Sequence, residues 1–366
     1  MKYFLSFAKN KNLKYDSMPT LPQNTQLTML VGTYTYDTSR GIYTFRFNQL
    51  TGEHIALQCA NVTNPSYLAI THDNNIVYSV TENGNDSKIN AHRFNAASGT
   101  LEHINSVNAE ADPCHIRILP NGLICTANYS DGSISLFKTN ADGSIRPEHE
   151  VIRFSAPAGP NTKRQNGAHA HFTLLSPNDR FLLTNDLGTD RIHALNLNGN
   201  MSSLTDTTVH PGYGPRHSIF STDGKHLYLI NELSGHVIAY RYDHNSGLLH
   251  EIQDLPADDA NAGGSADICI SPDGKFLYTS HRLQNDGISV FAIAEDGTLT
   301  KTSYFNTGKH PRNFIITPNG KYLLVACRDD NFVEVLLRDP ATGALNDTGE
   351  RIAVPRPVCI KFANQE

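Results

Sequence analysis

Apolar residues along the chain come in short runs, none long enough to read as a helix, and each is stopped by a polar turn. Runs such as Phe276-Leu277-Tyr278-Thr279 and Ile288-Ser289-Val290-Phe291 are rich in β-branched and aromatic side chains and predict strands. Two kinds of turn separate them. One carries a glycine, at Thr51-Gly52, Ser98-Gly99-Thr100-Leu101, Asp142-Gly143-Ser144-Ile145, Asn198-Gly199-Asn200-Met201, Ser246-Gly247-Leu248-Leu249, Asp296-Gly297-Thr298-Leu299 and Thr342-Gly343-Ala344-Leu345. These glycines are 47, 44, 56, 48, 50 and 46 residues apart, and so regular a period means a repeat architecture. The other turn keeps the same beat, at Asp73-Asn74, Asn121-Gly122, Asn178-Asp179, Asp223-Gly224, Asp273-Gly274 and Asn319-Gly320. Each sits between two apolar runs and predicts a hairpin.

Each repeat therefore carries about four strands, the unit of a propeller blade. The second turn occurs once less often than the first, and an unpaired strand-like run, Val358 to Phe362, remains at the C-terminus. Placed as the inner strand of the first blade, that run closes the ring and removes the open sheet edges. The fold predicted is all-β, a seven-bladed β-propeller of four-stranded antiparallel blades closed by the C-terminal strand. The repeats run without a linker from about Leu30 to Phe362, so one domain over 28–366 is expected, preceded by a tail over 1–27. The tail is expected to be disordered or packed on the ring, because its longest apolar run, Tyr3 to Ala8, is too short for a secretory segment.

A formal charge of −6 makes nucleic acid an improbable partner. There is no membrane-spanning apolar run and no Gly-x-Gly-x-x-Gly loop to cradle a dinucleotide. Cysteines 59, 114, 125, 269, 327 and 359 sit mainly in apolar strand contexts without the spacing of a zinc site. They read as reduced core thiols, which favours the cytoplasm.

In an up-and-down blade with strands A to D from the axis outward, A–B and C–D turns lie at one end of the ring. The B–C loops and D–A crossovers lie at the other, where a rigid scaffold presents binding chemistry. The crossovers deliver Cys114, His171, Arg216, Ala266 and Arg312 at equivalent positions, and the B–C loops deliver Glu82, Asn128, Asp186, Glu232, Arg282 and Arg328. Repeats built for packing alone would carry similar residues in each slot. Here one slot holds Arg, His, Ala and Cys in different blades, which points to a site shared among them.

The longest crossover, Ser155 to His169, contains Lys163, Arg164 and Gln165 and leads to His171. Alone it reads equally as a solvated loop. His169 and His171, one residue apart, suit a metal if Asp186 or Glu232 converges on them, but no fixed ligand motif accompanies them, and a substrate-binding or acid/base histidine is the reading taken. Arg216 and Glu232 fall on one face of one blade, as in a structural salt bridge. Arg282 and Arg312 from the next two blades tilt the balance towards an anion pocket.

The chain resembles the seven-bladed propeller lactonases, which include bacterial propeller-type 6-phosphogluconolactonases and fungal carboxy-muconate cyclases. The resemblance rests on Val31-Gly32-Thr33-Tyr34-Thr35, Gly41-Ile42-Tyr43, Asn64-Pro65-Ser66-Tyr67-Leu68 and Arg164-Gln165 leading to His169-Ala170-His171. It continues through Asp186-Leu187-Gly188-Thr189-Asp190-Arg191, Gly214-Pro215-Arg216-His217 and Asn231-Glu232-Leu233. The resemblance implies a lactone-handling site at the channel mouth in which a histidine of the His-x-His loop, Arg216 and Glu232 act together, with Arg282 as a further family arginine. No cofactor is implied.

Hydrolysis of a lactone needs an activated water, help for the carbonyl oxygen and a proton for the departing ring oxygen. Glu232 or His169 is expected as general base and Arg216 as oxyanion partner, with His171, Arg164, Arg282 and Arg312 holding an anionic lactone. Cys114 and Ser66 have no base partner, and no Gly-x-Ser-x-Gly elbow occurs, so a covalent route is disfavoured. Two alternatives stay open: a muconate-type cyclase or a hydrolase of another carboxylated lactone, and a non-catalytic binding propeller.

Overall fold

The computed structural model describes residues 25–197 and 204–363. Residues 1–24 of the expected tail and the Asn198-Gly199-Asn200-Met201 turn lie outside the described residues. The tail's last residues, Gln26 and Leu27, instead open the first strand, with Leu27 buried in the core. The strands form seven sheets of four antiparallel strands around one axis, as the double turn pattern predicts. Blade 1 runs outward from Pro357–Phe362 through Gln26–Thr33 and Gly41–Asn48 to His54–Asn61, so the chain's last strand pairs with its first. Blades 2 to 7 follow in sequence, opening on inner strands Leu68–Ile70, Pro113–Ile118, Ala170–Leu175, Pro215–Phe220, Ile268–Ile270 and Pro311–Ile316.

Burial falls from the axis outward. In blade 7 every residue of the second strand, Tyr322–Cys327, is buried, whereas no residue of the outermost strand of blade 1 is fully so. Apolar side chains fill the spaces between adjacent blades. Leu27, Met29 and Phe47 of blade 1 share one such layer with Leu324, Val333 and Val335 of blade 7, which makes the closure a packed interface as well as a hydrogen-bonded one.

The glycine beat has a physical origin between blades. A tyrosine on the second strand of one blade reaches the C–D turn of the next: Tyr78 Oη donates to the Gly143 carbonyl at 3.0 Å, Tyr228 to Gly297 at 3.1 Å and Tyr278 to Gly343 at 2.9 Å. Gly297 has φ +84°, and a Cβ there would stand 2.4 Å from His226 Cδ2. Only glycine meets both demands.

Tyr228→Phe, which removes one of these bolts, is expected to lower unfolding stability by about 1 kcal/mol. Gly297→Ala is expected to cost at least ~1–2 kcal/mol from the left-handed backbone, before the contact with His226 is counted. Urea unfolding of both variants measures this, and unchanged midpoints would contradict the assignment.

Candidate active site

The inner strands aim side chains at the axis through a repeated irregularity. In blade 3 Pro113 pairs with Asn128 and His115 with Ala127, leaving Cys114 as an extra residue. The same break in register isolates His171, Arg216, Arg312 and, in the closing strand, Val358. A β-bulge turns its extra residue out of the ladder. Here Ser66, Cys114, His171, Arg216, Arg312 and Val358 line one narrow cavity at the crossover end of the channel. The divergent slot read from the sequence is thus the bulge position.

The second slot is the residue that leaves the second strand, as Glu82, Glu232, Arg282 and Arg328 do after Thr81, Asn231, His281 and Cys327. Blades 3 and 4 correct the sequence reading: in blade 4 Asp186 ends its strand, Phe181–Asp186, and Leu187 takes the loop position. In blade 3 Asn128 is the last residue of its strand, and its amide donates to Ser133 Oγ at 3.0 Å and Ser135 Oγ at 2.9 Å. Tyr129 takes the loop position instead.

Glu232 is the centre of the site. Its Oε2 accepts from Arg216 Nε at 2.7 Å and lies 3.4 Å from an Arg282 terminal nitrogen, while Oε1 accepts from Arg164 at 2.6 Å. His171 Nε2 stands 4.0 Å from Oε2. Burial acts to raise the Glu232 pKa, but Arg282, Arg216 and Arg164 outweigh it and hold the carboxyl well below the usual range. Burial, against the pull of Glu232 and with Arg216 and Arg312 adding to it, pushes Arg282 down to about 9. His171 is pressed towards the neutral form by burial, then by Arg216, His217 and Arg312, and its Nδ1 is buried without a hydrogen-bond partner among the described residues.

The opposite side of the mouth adds residues that the sequence reading did not assign to the site. Tyr34 Oη donates to Glu82 at 3.0 Å, Ser66 Oγ donates to the same carboxylate, and the Arg312 guanidinium lies 5.4 Å from the Tyr34 ring centroid. Tyr34 leaves its strand at the slot that Glu82 and Glu232 occupy in their blades, a signal already present in the repeats. Four arginines, Arg164, Arg216, Arg282 and Arg312, thus face two carboxylates, Glu82 and Glu232. The arrangement is a cationic pocket rather than a balanced salt bridge.

The long crossover is pinned to the ring. Gln165, fully buried, donates to the Leu187 carbonyl at 2.9 Å and to Asp190 at 2.8 Å, and Asp190 also accepts from the amides of Gly212 and Gly214. This fixes Arg164 and the approach to Arg216 together. His169 stands apart from Glu232: its Nδ1 is 2.9 Å from the Tyr129 carbonyl, its Nε2 2.8 Å from Asn166 Oδ1, and its ring stacks on Tyr129 at 4.6 Å. Asp186 is fully buried and accepts from the His169 and Gly188 amides, Thr189 and His193. It builds the loop and does not face the channel. No group of three or more His, Cys, Asp or Glu side chains with metal-holding geometry occurs among the described residues.

Fold and site together define a seven-bladed propeller with an arginine-lined channel mouth, and comparison with known proteins narrows the class. Residues 28–362 match the family described as "Lactonase, 7-bladed beta-propeller". The chain belongs to this family. It is 33% identical over 351 residues to a 6-phosphogluconolactonase of Bacillus subtilis, covering 92% of this chain and 98% of that one. It is 36% identical over 343 residues to a 6-phosphogluconolactonase of Formosa agariphila, covering 89% and 96%. Among solved structures, a Bacteroides fragilis protein provisionally assigned as a 6-phosphogluconolactonase superposes with a TM-score of 0.89 at 48% identity, covering 95% of this chain and all of that one. The periplasmic gluconolactonase of Pseudomonas aeruginosa superposes with a TM-score of 0.86 at 30% identity, covering 93% and 99%.

The loop scaffold carries a pH signature. His193 lies between Asp186 Oδ2 at 3.3 Å and Asp206 Oδ1 at 2.8 Å. Burial opposes its charge, but the two carboxylates outweigh that and raise its pKa. A raised folded pKa gives stability that is complete below the unfolded value of about 6.5 and lost as pH rises through the folded value. Wild type should therefore lose more stability than His193→Gln between mildly acidic and alkaline pH. Parallel thermal melts across that range test it, and parallel curves would contradict the pairing.

Proposed function

We propose that this chain hydrolyses 6-phosphoglucono-δ-lactone to 6-phosphogluconate. The observation that carries the reading is the grip of Arg164, Arg216 and Arg282 on the single carboxylate of Glu232. With Arg312 and Glu82 included, the mouth holds two more arginines than carboxylates, which suits a phosphate monoester of about −1.5 to −2 charge. The relatives named 6-phosphogluconolactonase support the same substrate.

Arg164 is the outermost of the arginines, its side chain 40% exposed, and makes the first contact with the phosphate. As Arg164, Arg282 and Arg312 turn to the substrate, Glu232 loses part of the field that suppresses its basicity. It then takes a proton from water as the water oxygen bonds to the lactone carbonyl carbon. Arg216 remains against the oxyanion that forms. When the ring C–O bond breaks, Glu232 returns the proton to the ring oxygen, leaving a carboxyl group and a free hydroxyl. His171, kept neutral, supplies its unpartnered Nδ1 to a substrate hydroxyl. The base role falls to Glu232 because both nitrogens of His169 are engaged; His169 instead braces Tyr129, which contacts Arg164 at 3.1 Å.

No helix among the described residues is long and apolar enough to cross a membrane. The six cysteines are unpaired, and we assign the protein to the cytoplasm on that ground.

The test is hydrolysis of freshly generated 6-phosphoglucono-δ-lactone against its spontaneous opening, with unphosphorylated gluconolactone in parallel. The phosphorylated lactone should be accelerated preferentially. Acceleration of neither would refute the assignment and move it to a carboxylated lactone or a binding role.

With the fold retained by circular dichroism, Arg216→Ala should lower kcat by ~10²–10³-fold and Glu232→Gln by ~10²–10⁴-fold. Arg164→Gln should act mainly through KM, the mark of lost substrate binding. Near-normal turnover in both Arg216→Ala and Glu232→Gln would overturn the site.

A further inference from the structure

The channel has a second cavity, at the end where the A–B turns lie. It occupies about 340 Å³ among the inner strands of blades 1 to 4, a size suited to a small ligand. Ile70, Ile118 and Phe362 give it apolar walls, and Arg117 and Lys361 also line it. Aromatic rings in series separate it from the arginine-lined mouth: Tyr67 to His115 at 4.5 Å, His115 to Phe172 at 4.2 Å and Phe172 to His217 at 4.4 Å between centroids.

Neither cation is ion-paired to a carboxylate among the described residues. Arg117 Nε donates to the Thr173 carbonyl at 3.2 Å, and its terminal nitrogens have no hydrogen-bond or carboxylate partner among the described residues. Burial lowers the Arg117 pKa, and the groups that oppose this are Tyr67 and Cys125, neither of them a carboxylate. Lys361 Nζ lies 4.6 Å from the Tyr67 ring centroid. Burial opposes its charge, but Tyr67, then Cys359 and Asp267, outweigh that and raise its pKa, and Asp267 is itself engaged by His217 at 2.7 Å and by Asn313. His115, the remaining titratable group on the wall, is held neutral by burial and then by Arg117, His217 and Lys361. Both cations are half-buried on the cavity wall, so without a carboxylate partner their charge stays open to solvent and to a bound anion.

We propose that this cavity is a second anion site, taking a small organic anion whose phosphate or carboxylate head sits between Arg117 and Lys361. Its apolar body would lie along Ile70, Ile118 and Phe362. The pairing of a two-cation head site with an apolar wall distinguishes it from the mouth, where the charged groups dominate. The site is independent of the catalytic reading, because neither cation touches the Glu232 cluster.

Phenyl phosphate is the probe, with inorganic phosphate as the version lacking an apolar body. Calorimetric titration of the full chain should show a binding event that Arg117→Gln and Lys361→Met each weaken by roughly tenfold or more, and inorganic phosphate should bind that site more weakly. Hydrolysis of the phosphorylated lactone should be unchanged in both variants. Crystals soaked in phenyl phosphate should place its phosphate between the two cations. Identical isotherms for wild type and both folded variants would overturn the proposal. A second readout guards against a structural role: without ligand, Arg117→Met should melt at or close to wild type, since it removes a half-buried cation that has no carboxylate partner. A marked fall in its melting temperature, or failure to fold, would assign Arg117 to the scaffold and also overturn the site.

Discussion

Everything at the channel mouth depends on one seam, the pairing of the last strand, Pro357–Phe362, with the first, Gln26–Thr33. Without the last strand, blade 1 would expose the inner edge of Gln26–Thr33 and lose part of the layer it shares with blade 7. The seam supplies that strand and completes the seven inner strands about the axis. It also brings residues distant in sequence to one spot: Tyr34, from the start of the chain, stacks under Arg312 from near its end. A blade that slipped at the seam would scatter the bulge residues that form the cavity.

Given that frame, the electrostatics follow from crowding. A carboxylate buried alone would protonate, and an arginine buried alone would be strongly penalised. Glu232 and its arginines tolerate burial because they answer one another, yet the arginines outnumber the carboxylates and the surplus is left for a ligand. The carboxylate's low proton affinity follows from that surplus, and in the proposed reaction it rises when the substrate anion competes for the same guanidinium groups. Binding and base strength would then be linked through one set of hydrogen bonds.

Much of this was legible in the sequence, and the reasons differ by residue. The glycine turns could be read because the tyrosine bolt and the left-handed backbone both demand glycine, as at Gly297. The closing strand could be read because a turn count was short by one. Arg216, Glu232, Arg282, Arg312 and His171 were found as variation within equivalent slots, and the structure brings them to one mouth. What failed depended on information that is not local. Asn128 was taken for a loop residue where Tyr129 is, although Asn128-Tyr129 aligns with Asn231-Glu232 and the repeat alone would have corrected it. Glu82 was legible in the same slot as Glu232, whereas Tyr34 needed the comparison carried round to the first blade. The orientation of His169 had no such signal, because it is set by the Tyr129 carbonyl, 40 residues away in the adjacent blade.

The most direct test of the account is a crystal structure with the product 6-phosphogluconate bound. It should show the phosphate held among Arg164, Arg282 and Arg312 and the new carboxylate within hydrogen-bond reach of Arg216 and Glu232, with the 2.6 Å Arg164–Glu232 contact opened. A product seated away from the mouth, or one whose phosphate touches none of these arginines, would contradict it.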